Sequence, residues 1–171
     1  MNGMRHQSRL GGFTFIELVI TLALVGVIAM VSLPLFEVTS VRFKEAELRR
    51  ALRTIRTGLD AYKAAVDAGT LTKVAGESGY PPSLEILTEP LAVANKPDSG
   101  FGSPSAPQRI VILRQLPRDP FFTNPEVPAA QTWRTRSYGS KADDPQPGAD
   151  VFDVASTSTR LGLDGTPYAS W

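Results

Sequence analysis

The chain has no cysteine and a single histidine, His6, among its 171 residues. Without cysteine there are no disulfides, no thiol nucleophile and no thiolate metal site, although an extracytoplasmic location stays open. Without a second histidine, imidazole acid/base chemistry and imidazole ligation are excluded from everything after residue 6. Net charge is also scarce: 18 basic side chains oppose 17 acidic ones, for a formal +1. No electrostatic grip on nucleic acid is indicated. Arg5 and Arg9 precede residue 13 with no acid beside them, so a chain starting at Phe13 would carry 16 basic and 17 acidic groups. A catalytic reading needs a nucleophile with a base, a carboxylate pair or a metal cluster. None is apparent, and Asp143-Asp144 reads as a solvated loop pair, so a non-enzyme is expected.

What the chain does have is one long apolar run. From Phe13 to Phe36 the only charge is Glu17, and a helix of roughly 20 apolar residues crosses about 30 Å of hydrocarbon. The run is longer than the apolar core of an ordinary signal peptide. A plain signal anchor is the simplest alternative. Basic residues are more numerous after the run than before it, so counting charges on the two flanks does not orient it. An acid inside such a segment costs at least roughly 2.5 kcal/mol at the bilayer centre if unpaired, which makes Glu17 a functional candidate. Pro34 removes a backbone donor and should kink the helix.

Beyond Pro34 the pattern turns amphipathic. Leu48, Leu52, Ile55, Leu59, Tyr62 and Val66 recur at alternating spacings of four and three, one stripe of a 3.6-residue helix. Arg49, Arg50, Arg53 and Arg56 lie largely off that stripe and read as a solvated or subunit-facing surface, with Glu45 and Arg49 an i,i+4 pair. Gly69 is the expected stop. Ser83 is a candidate N-cap for a short helix through Leu84, Ile86 and Leu87. Residues 95 to 108 are loop by composition. Candidate strands follow at 109 to 115, 131 to 138 and 150 to 156. Several antiparallel strands against one long helix give an α+β class.

Gly12-Phe13-Thr14-Phe15-Ile16-Glu17-Leu18 resembles the processing signal of type IV pilins and type II secretion pseudopilins. Leu116-Pro117-Arg118-Asp119-Pro120-Phe121, Val151-Phe152-Asp153-Val154 and the closing Leu163-Asp164-Gly165-Thr166-Pro167-Tyr168 resemble the G-type, or major, pseudopilins of that family. The resemblance implies a type IV pilin-like fold with a long N-terminal helix, its first half transmembrane, packed on a small antiparallel sheet. It divides the chain into a leader at 1–12, a membrane and filament-core half-helix at 13–36, an amphipathic half at 37–68 and a periplasmic globular region at 69–171. A prepilin peptidase would cut between Gly12 and Phe13 and methylate Phe13, whose new amine would neutralise Glu17 of a neighbouring subunit during assembly.

The implied function is a structural subunit of a secretion pseudopilus, held in the bacterial inner membrane and assembled into a periplasmic filament. The implied partners are further copies of the chain, minor pseudopilins, the peptidase, an assembly platform with its ATPase, and the lipid bilayer, with no nucleic acid. Members of the group often bind calcium after the last strand, which makes Ser156 and Asp164 candidate ligands. Calcium takes six to eight oxygens, and the metal-free alternative is a tight Asp164-Gly165 turn with Trp171 packed under it. Two other functions stay open: a surface type IV pilin for adhesion, motility or DNA uptake, and a monomeric, membrane-anchored periplasmic binding module.

Overall fold

The computed structural model describes residues 12–73, 77–94 and 108–171, with the side chains at 31 and 33–35 also outside the described set. Two compact units divide the chain, one ending at Val41 and one running from Arg42 to Trp171. The leader expected at 1–12 lies outside the described residues except for Gly12, which is exposed with open space around its Cα.

Helix α1 runs Phe15–Asp67. Its start is set locally: the Thr14 hydroxyl accepts a hydrogen bond from the Glu17 amide at 3.3 Å. Thr14 at the N-cap and Glu17 three residues on form the sequence pattern of a capping box, and the acid in the first turn complements the helix dipole. Through the first unit the apolar side chains are exposed, with Phe13, Phe15 and Met30 each about 80% accessible. The helix passes through Pro34, whose side chain is among those not described.

The expected transmembrane span is corrected. Among the described residues no helix is long and apolar enough to cross a membrane. With the span goes the single-pass inner-membrane placement.

The second unit is a small α+β domain. The stripe from Leu48 to Val66 is where its core sits: Leu48, Leu52, Ile55 and Leu59 are at most 3% exposed and pack with Leu84, Leu87, Leu116, Trp133, Val151, Val154 and Tyr168. The helix stops at Asp67, and Gly69, at φ +69°, carries the chain out as its amide and that of Thr70 satisfy the carbonyls of Val66 and Ala65.

The single small sheet expected against the helix is also corrected. Among the described residues two separate antiparallel pairs form instead: β1 (Leu91–Ala92) with β2 (Arg109–Ile110), and β3 (Trp133–Arg136) with β4 (Asp153–Ser156). All three expected strands are shortened, the third to Asp153–Ser156, and the first two for identifiable reasons. The first stops at Ile110 because the chain turns to donate the Leu113 amide to Leu87 and to press the Leu113 side chain onto the helix at Gly58. A β-carbon at Gly58 would lie 3.0 Å from Leu113 Cδ1, so glycine permits the approach. The second begins late because Ala129–Thr132 forms a 3-10 turn. It ends at Arg136 because the Asp150 carboxylate replaces a strand partner, accepting from Ser137 Oγ at 2.7 Å and the Tyr138 amide at 2.8 Å. The short helix is a 3-10 turn at Glu85–Thr88 whose cap position is Leu84, so Ser83 is not its cap.

Asp150 supplies a pH prediction. Burial raises its carboxyl pKa, but hydrogen bonds from Ser78, Ser137 and the Tyr138 amide outweigh that and hold it below the ordinary carboxylate value of 3.8. A lowered folded-state pKa stabilises above the unfolded value and is lost as pH falls through the folded one. Asp150→Asn is therefore expected to destabilise at neutral pH and to lose that deficit as pH drops below about 4. Urea melts of parent and variant across that window check it.

Candidate functional site

The second unit carries an open groove of about 550 Å³ between the arginine face of α1 and the last residues of the chain, a size usual for ligand sites. Arg49, Arg53 and Arg56, spaced four and three apart, present one face of the helix. Thr57 and Asp60 continue it, and Asp164, Thr166 and Trp171 form the opposite wall over a floor at Leu52.

The wall is built on two anchors. Tyr168, fully buried, stacks on Phe121 with ring centroids 4.1 Å apart and donates its hydroxyl to Glu45 Oε1 at 3.0 Å. Burial, and next the bond to Glu45, push the Tyr168 pKa above the tyrosine range, so the hydroxyl remains a donor at neutral pH. The same Glu45 oxygen accepts the Leu163 amide at 2.7 Å. Glu45 therefore points into the protein, and the expected Glu45–Arg49 pair is replaced by a tie between helix and C-terminal segment. Residues 162–165 form a turn closed by the Gly165 amide on the Gly162 carbonyl at 2.9 Å, with Gly165 at φ +81°. Asp164 Oδ1 accepts from the hydroxyl and amide of Thr166; the hydroxyl bond is the largest influence holding its pKa below the usual carboxylate value.

Trp171 completes the wall. Its Nε1 donates to Thr166 Oγ1 at 2.7 Å, and the Arg49 guanidinium lies over its ring at 4.3 Å. Arg49 also approaches Asp164 at 3.9 Å. Arg56 donates Nε to Asp153 at 2.8 Å and one terminal nitrogen to the backbone oxygens of Val154 and Trp171. Arg53 is exposed and, among the described residues, makes no hydrogen bond or ion pair. Among the described residues one guanidinium is thus uncommitted between two that have partners.

The candidate calcium ligands Ser156 and Asp164 each hold protein partners of their own. Ser156 is fully buried, donates its hydroxyl to Asp119 Oδ2 at 2.5 Å and accepts the Ser158 amide. Asp164 is engaged in its own turn. Among the described residues no cluster of three or more acidic, histidine or cysteine side chains is placed to hold a metal. Phe13 and Glu17 lie at the exposed start of α1 and Pro34 lies within it, all in the other unit.

The arginine row is legible in the sequence as a solvated or subunit-facing surface; Thr166 and Trp171 as its facing wall and Glu45 as the tie are not. The visible signal was the spacing of Arg49, Arg53 and Arg56 on one helical face.

No protein-family model matches the chain, no curated protein matches it, and no solved structure matches it. The resemblance to the G-type pseudopilins is thereby corrected. It rests on short motifs, without a matching family, and the described residues lack the membrane-spanning helix that defines the pilin fold. The pseudopilus-subunit function falls with it, as does the surface-pilin alternative, which needs the same helix.

Proposed function

We propose that the unit from Arg42 to Trp171 is a non-catalytic binding module whose ligand occupies the arginine-faced groove. The observation that carries this reading is the groove's construction. A rigid helix supplies one wall, the other is held by Glu45, Tyr168 and Arg56, and a free guanidinium remains at the centre. Side chains fixed by packing and hydrogen bonds present their free groups at low entropic cost, the condition for binding by a preformed site. The groove offers guanidiniums, two carboxylates and the hydroxyls of Thr57 and Thr166. These groups recognise and orient, and no nucleophile with an adjacent base is among them.

The test is a thermal-shift screen of the full chain, kept in a mild non-ionic detergent that covers the exposed apolar side chains of α1. The library contains short peptides, carboxylates, phosphates and sugars. A ligand at 100 times its Kd adds about 2.7 kcal/mol to stability, so at least one class is expected to raise Tm clearly. Thr57→Phe, an exposed change that fills the groove, is expected to abolish that rise. An equal rise in Thr57→Phe, or none across the library, would overturn the reading.

A further inference from the structure

We infer that the groove is selective for an extended peptide segment presenting a single carboxylate, which seats on Arg53 between two positions that disfavour further negative charge. This rests on the reading of the groove as a binding site and adds the class of its ligand. Three guanidiniums and two carboxylates line it, but they are not equivalent.

Arg49 is engaged with the Trp171 ring and Asp164, and Arg56 with Asp153 and two backbone oxygens. Each is paired with a carboxylate, which leaves Arg53 as the uncompensated cation of the groove. Arg53 has its five donors uncommitted. A planar fork of that kind pairs best with a carboxylate through two parallel hydrogen bonds.

The two acids set the flanks. Asp164 sits at the Arg49 end, 3.9 Å from that guanidinium. Asp60 lies seven residues beyond Arg53 on the same helix, about 10 Å further along at about 1.5 Å per residue. Along the groove an ion-paired acid, an uncompensated cation and a second acid therefore follow one another. A ligand with one carboxylate flanked by hydrogen-bond donors matches that order; a polyacidic tract or a nucleic-acid strand places negative charge opposite Asp60 and Asp164. The hydroxyls of Thr57 and Thr166 can accept from donors on such a ligand. A peptide backbone provides N–H groups on both sides of an acidic side chain, as the order requires.

The experiment uses the full chain in the same detergent and four probes: Ac-Asn-Leu-Glu-Asn-NH2, its Gln counterpart, Ac-Glu-Glu-Glu-NH2 and a six-residue oligothymidylate. Binding is read by calorimetry and by the emission of Trp171, which lines the groove, whereas Trp133 is buried. The single-Glu peptide is expected to bind best. The Gln counterpart, and the single-Glu peptide against Arg53→Met, should each lose about tenfold or more, the size of a charge-assisted hydrogen bond. Asp60→Asn should narrow the gap between the single-Glu and triple-Glu probes.

Arg53 is exposed, so unchanged Tm in Arg53→Met separates lost recognition from lost folding. Equal binding of the Glu and Gln peptides, or tighter binding of the triple-Glu peptide or the oligonucleotide, overturns the ligand class while leaving a binding groove in place. Absence of binding by every probe, together with a flat thermal-shift screen, overturns both.

Discussion

Tyr168→Ala is expected to cost about 3–5 kcal/mol of unfolding free energy, the range for removing a large aromatic side chain from a core. Tyr168 is fully buried, stacks on Phe121 at 4.1 Å and meets Trp171 edge-on at 5.0 Å, and its hydroxyl is one of two donors to Glu45. Truncation leaves a cavity and removes half of the hydrogen bonding of a 6% exposed carboxylate. Tyr168→Phe keeps the rings and removes only the hydroxyl, so it should cost about 1–3 kcal/mol, the range for leaving a buried polar group short of a partner.

The raised pKa of Tyr168 adds a sign. Its contribution is fully present below the unfolded tyrosine value of 10.0 and is lost as pH rises through the higher folded value. Chemical denaturation of the parent and both variants reads these costs. Because the same residue holds the C-terminal wall, Tyr168→Ala should also weaken ligand binding, whereas Tyr168→Phe should retain most of it.

Asp119→Ala is the second large effect, expected at about 2–4 kcal/mol: the buried Ser156 hydroxyl loses its acceptor at about 1–3 kcal/mol and the half-buried Phe121 amide loses its own at about 1 kcal/mol. Asp119 is 1% exposed. Its Oδ1 accepts the Phe121 amide at 2.8 Å and its Oδ2 the Ser156 hydroxyl at 2.5 Å, while its own amide donates to Thr132 Oγ1. This carboxylate joins the segment 119–121 to the end of β4 and places Phe121 against Tyr168. Asp119→Asn keeps the shape and can still accept from the Phe121 amide, while its NH2 can donate to the Ser156 oxygen. It should therefore retain most of the stability that Ala loses. Equal losses for the two variants would show that the hydrogen bonding of Asp119 is not what matters there.

The parts of the fold legible in the sequence were the local ones. The stripe Leu48 to Val66 could be read because helical periodicity repeats within a few residues, and Gly69 because a helix end requires a left-handed residue within reach. The strands were placed in the right regions but overextended. What shortens them is the reach of Asp150 across to Ser137 and the docking of Leu113 on Gly58, neither visible from a run of β-formers.

Glu45 shows the limit most clearly. Its i,i+4 spacing to Arg49 favoured a surface pair, but its actual partners are 118 and 123 residues away. The groove was illegible for the same reason: one wall is a helical row that can be read, and the other is supplied by residues 164–171. At the N-terminus, Thr14-Phe15-Ile16-Glu17 contained a helix-start pattern from which the Thr14 cap could have been read. The membrane-length run and the leader-like motif drew the interpretation toward filament assembly instead.

The central claim, that the groove between the α1 arginine face and the C-terminal segment is the ligand site, is tested most directly by hydrogen–deuterium exchange of the full chain with and without saturating Ac-Asn-Leu-Glu-Asn-NH2. The account predicts added protection confined to residues 49–60 and 162–171, absent in Thr57→Phe. Protection elsewhere, or unchanged exchange throughout at saturating peptide, would contradict it.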